Sequence, residues 1–254
     1  MFGDGVRLAL GTLTALPTPP PRRVDRSVTG VAMVVAPLAV IPLGLLVAVI
    51  SWAGRELDVA PLAVAAVAIG ALAMGSRALH LDGLADTADG LTASYDRDRS
   101  LDVMKSGNTG PAGVAILIFV LGIQIASLAA VIYRPYGPLL AGILVCCSRA
   151  ALSLDCMKGI PAARADGLGV TYTQTVPRVI VVAVWVAVTA VCAAAFNLSD
   201  VPWWHAVVGV AVAVAVVGLL LVRSVTRFGG VTGDTFGASI ELALAALLIS
   251  ATPA

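Results

Sequence analysis

Seven stretches of the chain, near residues 30–53, 59–79, 112–132, 138–154, 179–198, 201–222 and 237–251, are apolar and nearly free of charge. Most reach the ~18 residues that carry a helix through the hydrocarbon of a bilayer. Inside a bilayer no water satisfies the backbone, so such stretches fold as helices. The predicted fold is all-α, a polytopic membrane bundle of about seven transmembrane helices. Charged residues make up 12% of 254 residues, against roughly 25% in a soluble domain. That is too few to clothe a water-facing globule of this size.

Sixteen basic residues balance fifteen acidic ones, and aromatics are 5%, so neither a basic field nor stacking platforms point to nucleic acid. Cys146, Cys147, Cys156 and Cys192 lie in or beside apolar stretches without metal-ligand or disulfide spacing. The N-terminal run Leu8 to Leu16 is interrupted by Thr12 and Thr14 and followed by Pro17 to Arg23. It reads as an interfacial helix within a segment 1–29, not as a cleaved signal. No repeat or long linker divides the chain, so residues 1–254 form a single integral membrane catalytic domain. A homo-oligomer is compatible with this reading, and membrane lipid is the expected surrounding.

Alternating the seven spans sorts the loops. One side collects 14 of the 16 Lys and Arg residues, leaving Arg55 and Arg134 opposite. The positive-inside rule makes the crowded side cytoplasmic, with the N-terminus inside and the C-terminus outside. The outer connections are short, so the polar chemistry, and with it the active site, is expected to face the cytoplasm.

Two inner segments carry that chemistry. In the first, residues 80–111, the run His80 to Gly90 places Asp82, Asp86 and Asp89 at i, i+4 and i+7, within about 60° of one another on a helix. Three carboxylates on one stripe repel, and a divalent cation relieves the repulsion; an all-oxygen set suits Mg²⁺ or Mn²⁺. The alternative is a solvated polar loop with capping aspartates. His80 is either a substrate contact or an interfacial residue. Farther on, Arg97, Arg99 and Lys105 offer phosphate donors and Ser106, Asn108 and Thr109 neutral ones, unless this is only an amphipathic helix anchored at the interface.

The second segment, residues 227–241, sets Gly229, Gly230, Gly233 and Gly237 around Thr232, Asp234 and Thr235. Glycines let a backbone approach a ligand and turn successive N–H groups toward an anion. Helix packing through small residues explains the glycines but not Asp234 or Glu241. Arg149, near the inner end of the fourth span, either pairs with an acidic residue or reaches a phosphate.

Taken together and in order, these segments resemble cobalamin synthase, the adenosylcobinamide-GDP ribazoletransferase family of membrane proteins. The matching features are His80-Leu-Asp-Gly-Leu-Ala-Asp-Thr, Arg97-Asp-Arg with Leu101 to Lys105, Ser148-Arg149, Gly167-Leu-Gly, and Gly229-Gly-Val-Thr-Gly-Asp-Thr-Phe-Gly-Ala with Glu241. Leu13 to Pro19 is similar to that family's N-terminus. One departure is Ser106-Gly107-Asn108, where the family commonly has an Asp-Ser-Arg type of triplet. The resemblance implies a Mg²⁺-dependent reaction in which α-ribazole, or its 5′-phosphate, displaces GMP from adenosylcobinamide-GDP to give adenosylcobalamin or its phosphate. On that basis Asp82, Asp86, Asp89 and Asp234 are the candidate catalytic residues, the first three as metal ligands. His80, Arg97, Arg99, Lys105, Asn108, Arg149, Gly230, Thr232 and Gly233 are the candidate substrate contacts.

Two other classes compete. A CDP-alcohol phosphotransferase also sets aspartates on membrane helices, but Asp86 and Thr87 stand where its pattern needs Ala-Arg. An ion-coupled transporter predicts carboxylates near the midplane and an inverted repeat, neither of which the sequence displays. For orientation, single cysteines introduced near Arg97 and Arg164 are expected to react with an impermeant reagent only from the cytoplasmic side, and one near Asp58 only from the opposite side. Labelling of all three from one side would overturn the topology.

Overall fold

The structure, a computed structural model, describes residues 1–165 and 168–252. Gly167, named above in the Gly167-Leu-Gly stretch, lies outside the described residues. The described residues form helices and no sheet. An N-terminal helix α1 (Phe2–Leu13) precedes α2 (Arg26–Ala39) and α3 (Ile41–Glu56), which together make the first crossing. Asp25 starts α2 by accepting the backbone N–H groups of Ser27 and Val28, a side-chain N-cap. Pro37 and Pro42 flank the break between the two halves, because proline withholds an N–H from the helical ladder.

Helix α4 (Pro61–Gly75) returns, and then the chain turns by 89° into α5 (Leu79–Ala93). Sequence periodicity predicts an apolar stretch to residue 79, but the apolar helix stops four residues sooner. Arg77 and Ala78 both take positive φ, at 58° and 55°. The Arg77 guanidinium secures the corner by donating to the Gly11 and Thr12 carbonyls at 2.8 and 3.2 Å. Helix α5 thus departs from the direction of α4 and carries its aspartates outside the apolar crossing.

A short α6 (Arg97–Lys105) leads to the long α7 (Pro111–Ile132). Then come α8 (Gly137–Ser148), α9 (Ala151–Asp155) and α10 (Leu168–Tyr172), followed by α11 (Arg178–Leu198), α12 (Trp203–Phe228) and α13 (Gly233–Ser250). Among the described residues six helical segments are long and apolar enough to cross a bilayer, seven if the bent α4–α5 pair counts as one. Leu38, Leu45, Trp52, Val67, Phe119, Val186 and Leu219 lie exposed on the outside of the bundle. A surface of this kind suits lipid and would aggregate in water. The chain is a multi-pass membrane protein.

Helix α13 is the hub: α5, α7, α8, α9 and α12 all touch it. One end of the bundle gathers the polar connections, where Arg97 reaches Phe228 and Ala163, Arg164 reaches Leu101, and Arg26 reaches Thr173. At the other end the connections are short, and Tyr133 donates to the Val59 carbonyl.

Between lipid-soaked helices no hydrophobic force drives association, so close van der Waals contact carries it. The crossing of α3 with α8 is the clearest case. A Cβ on Gly44 would stand 2.6 Å from the Gly142 oxygen, and one on Gly142 would stand 2.5 Å from the Gly44 oxygen. Gly142→Leu is therefore expected to cost about 1–3 kcal/mol through overpacking, read as a lower thermal unfolding midpoint in detergent. Gly70→Leu, on an open face of α4, is expected to leave the midpoint unchanged.

Candidate active site

Two glycines permit the approach of α5 to α13 that builds the site. A Cβ on Gly83 would lie 2.5 Å from the Asp234 oxygen, and one on Gly237 would lie 2.9 Å from the His80 Cα. With hydrogen in both places the two backbones touch. Asp82 and Asp86 from α5 are thereby set beside Asp234 at the start of α13, although about 150 residues separate them in sequence. The glycine-rich segment and the first acidic segment thus form one locus.

Asp82 is exposed and Asp86 half-buried. Partial burial, then the charges of Asp82, Asp234 and Asp89, push the Asp86 carboxyl up to about 6. A cluster that raises its own member in this way is short of positive charge. Among the described residues no ion pair engages Asp82, Asp86 or Asp234. Nor are any three His, Cys, Asp or Glu side chains gathered to hold a metal ion by themselves.

Asp89 is placed differently from the metal-binding role expected of it. It is buried, and its two carboxylate oxygens accept the N–H groups of Gly110 at 2.6 Å and Gly113 at 2.8 Å. These are N-terminal donors of α7, so Asp89 anchors that helix start. A Cβ on Gly110 or Gly113 would collide with this carboxylate at 2.6 or 2.4 Å, which explains the glycines there.

The candidate substrate contacts divide. Arg99, Lys105 and Asn108 are exposed near the polar end. Gly233 opens α13 with nothing within 4 Å of its missing Cβ, leaving its backbone approachable. Thr232 caps α13 through a capping box with Thr235, and its hydroxyl is 3.2 Å from the Asp234 carboxylate. Arg97, by contrast, is engaged with the chain itself: its Nε donates to the Phe228 carbonyl at 2.8 Å and its Nη2 to that of Ala163. Gly230 is pressed against the backbone of Pro161 to Ala163. Arg149 is wholly buried, donating to the Val145 carbonyl and the Ser148 hydroxyl, each at 2.8 Å. Among the described residues it makes no ion pair with an acidic side chain, one of the two roles open to it in sequence.

His80 is buried too, its Nδ1 3.7 Å from a Glu241 oxygen. The other Glu241 oxygen accepts from Gln124 at 2.8 Å. Sequence reasoning singled out Glu241 without a partner and missed Gln124 altogether, since an amide in an apolar run carries no spacing signal. Asp155, which accepts from Ser239 at 2.8 Å inside the bundle, was likewise missed. Beside the acidic locus lies a cavity of about 210 Å³ whose lining includes His80, Asp82 and Asp234 together with Met33, Leu152, Tyr172 and Phe236.

Comparison with known proteins covers nearly the whole chain. Residues 5–252 match the family model described as cobalamin-5-phosphate synthase. A protein of Nocardioides sp. named adenosylcobinamide-GDP ribazoletransferase is 51% identical, covering 97% of each chain. Relatives of the same name from Frankia casuarinae and Pseudomonas aeruginosa are 38% and 34% identical, over 96% and 94% of this chain and 92% and 90% of theirs. No solved structure matches.

The two aspartates that share a helix face can be told apart by stability. Asp89→Ala strips two backbone donors of their acceptor and is expected to cost about 1–2 kcal/mol, lowering the unfolding midpoint. Asp82→Ala, at an exposed position whose carboxylate accepts no hydrogen bond from the described residues, is expected to leave it unchanged. Equal midpoints for the two variants would remove the anchoring role.

Proposed function

The chain belongs to the cobalamin-5-phosphate synthase family, and from that premise we propose that it transfers adenosylcobinamide phosphate from adenosylcobinamide-GDP to α-ribazole or α-ribazole 5′-phosphate, at the locus formed by Asp82, Asp86 and Asp234. The single observation that carries the assignment of the locus is the contact of α5 with α13, which sets the three carboxylates together at the polar end of a membrane bundle. Neither the CDP-alcohol phosphotransferase nor the transporter reading is needed.

The reaction is a phosphoryl transfer: a ribose hydroxyl attacks the phosphorus joined to cobinamide, the bond from that phosphorus to the bridging oxygen breaks, and GMP departs with the electron pair. Catalysis of this class rests on positioning and charge stabilisation. Gly233, exposed at the start of α13, offers a backbone N–H and the positive end of a helix dipole to a phosphate. Arg99 and Lys105, exposed on the neighbouring α6, add mobile positive charge. Asp86, pushed up to about 6 and so ionised at neutral pH yet more basic than an ordinary carboxylate, is suited to take a proton from the attacking hydroxyl.

A divalent cation fits this donor set. The carboxylates of Asp82, Asp86 and Asp234 repel one another and none has an ion-pair partner among the described residues, and Mg²⁺ takes only one or two carboxylates when a substrate's phosphates and water complete its shell. One or two of Asp82, Asp86 and Asp234 would hold it, with Asp89 occupied by α7. Bound there, it would supply neutralisation of the pyrophosphate and of the charge that develops on the leaving GMP. The basic side chains crowd the polar end, so we assign that end to the cytoplasm and the N-terminus with it.

With purified protein in liposomes given adenosylcobinamide-GDP, α-ribazole and Mg²⁺, Asp82→Ala, Asp86→Ala and Asp234→Asn are each expected to slow GMP release by at least about a hundredfold. Wild-type rates in all three at saturating Mg²⁺ would reject the locus.

A further inference from the structure

The cavity beside the carboxylates has a chemistry of its own. Its walls come from α1, α2, α5, α9, α10 and α13, and apart from the two aspartates at its edge they are chiefly apolar. Tyr172 and Phe236 meet there edge to face, with ring centres 6.5 Å apart and planes at 72°. Aromatic walls of this kind favour contact with a further flat ring. The other polar ring in the lining is His80, nine-tenths or more buried, with Nδ1 outside hydrogen-bond distance of any partner.

We propose that this cavity seats the flat aromatic base of the nucleoside acceptor, with its ribose at the rim formed by Asp82 and Asp234. The assignment rests on the reading of the reaction given above. Size argues first. About 210 Å³ lies below the roughly 300–1,000 Å³ of sites that enclose a whole drug-sized ligand, so only part of a large substrate enters. A corrinoid ring is far too broad. Polarity decides between the two bases that remain. The guanine of the donor carries donors and acceptors along both edges, and burying them without partners is costly. The benzimidazole of α-ribazole, once joined to ribose, keeps one ring nitrogen as its sole polar atom and presents apolar carbon elsewhere. A cavity with aromatic and aliphatic walls and one histidine matches that base.

The geometry also fits the chemistry at the rim. A base lodged against Phe236, Leu152 and Met33 would point its sugar toward the only carboxylates in the lining, where the attacking hydroxyl has to be. Selection of the acceptor would then belong to α1, α10 and α13 together, and selection of the donor to the exposed basic residues outside the cavity.

The test separates the two substrates. In steady-state assays of the full chain in liposomes, Phe236→Ala and Leu79→Trp, the first removing a wall and the second filling space, are each expected to raise KM for α-ribazole by about tenfold or more. KM for adenosylcobinamide-GDP is expected to stay within about twofold. Phe236→Leu, which keeps bulk without the ring, is expected to fall between Phe236→Ala and wild type. Equilibrium binding of α-ribazole without donor, followed by the fluorescence of its base, should weaken in step. Failure of the wild-type protein to release GMP would strike the reaction itself. Turnover by wild type with unchanged KM for α-ribazole in the folded variants, or a rise in KM for the donor instead, would overturn the cavity assignment alone.

Discussion

Backbone-to-backbone contact between α5 and α13 is the constraint around which the polar end is organised. Gly83 meets the main chain of Asp234 and Gly237 meets that of His80, so a side chain at either glycine would drive the helices apart. The separation they permit is what lets carboxylates from distant segments repel one another across a narrow gap. The same register sets His80 against Glu241 and Glu241 against Gln124. An acidic locus on one side of α5 and a buried polar cluster at its start are two results of one close approach.

Most of the crossings were legible in the sequence, because an uncharged apolar run of this length has few alternatives in a membrane. The stretches expected near 112–132 and 179–198 appear as Pro111–Ile132 and Arg178–Leu198. The sharp corner between α4 and α5 was not legible. Gly75 ends α4, but the positive φ falls on Arg77 and Ala78, neither of them a residue that favours it, and the corner is secured by carbonyls of α1 some 65 residues earlier. Long-range hydrogen bonds of this kind leave no local pattern.

The locus was half legible for a related reason. Spacing placed Asp82, Asp86 and Asp89 on one face, yet spacing cannot tell an unpartnered carboxylate from one that accepts two backbone N–H groups. Asp89 became a helix anchor because Gly110 and Gly113 come within reach of it, a fact of the tertiary fold. Arginines divide in the same manner: Arg97 and Arg149 donate to carbonyls of their own chain, whereas the exposed Arg99 side chain makes no hydrogen bond or ion pair among the described residues. Charge in a sequence gives the side of the membrane more readily than the task.

The burial of Arg149, His80 and Glu241 in one bundle bears on biogenesis. Ionisable groups inside a membrane are costly unless they have protein partners, and Glu241 sits on α13, which is synthesised after the helices that bear His80 and Arg149. Until α13 is made, a buried Arg149 would lack the nearby negative charge of Glu241, so the order of synthesis alone makes the partly formed bundle less favourable than the finished one.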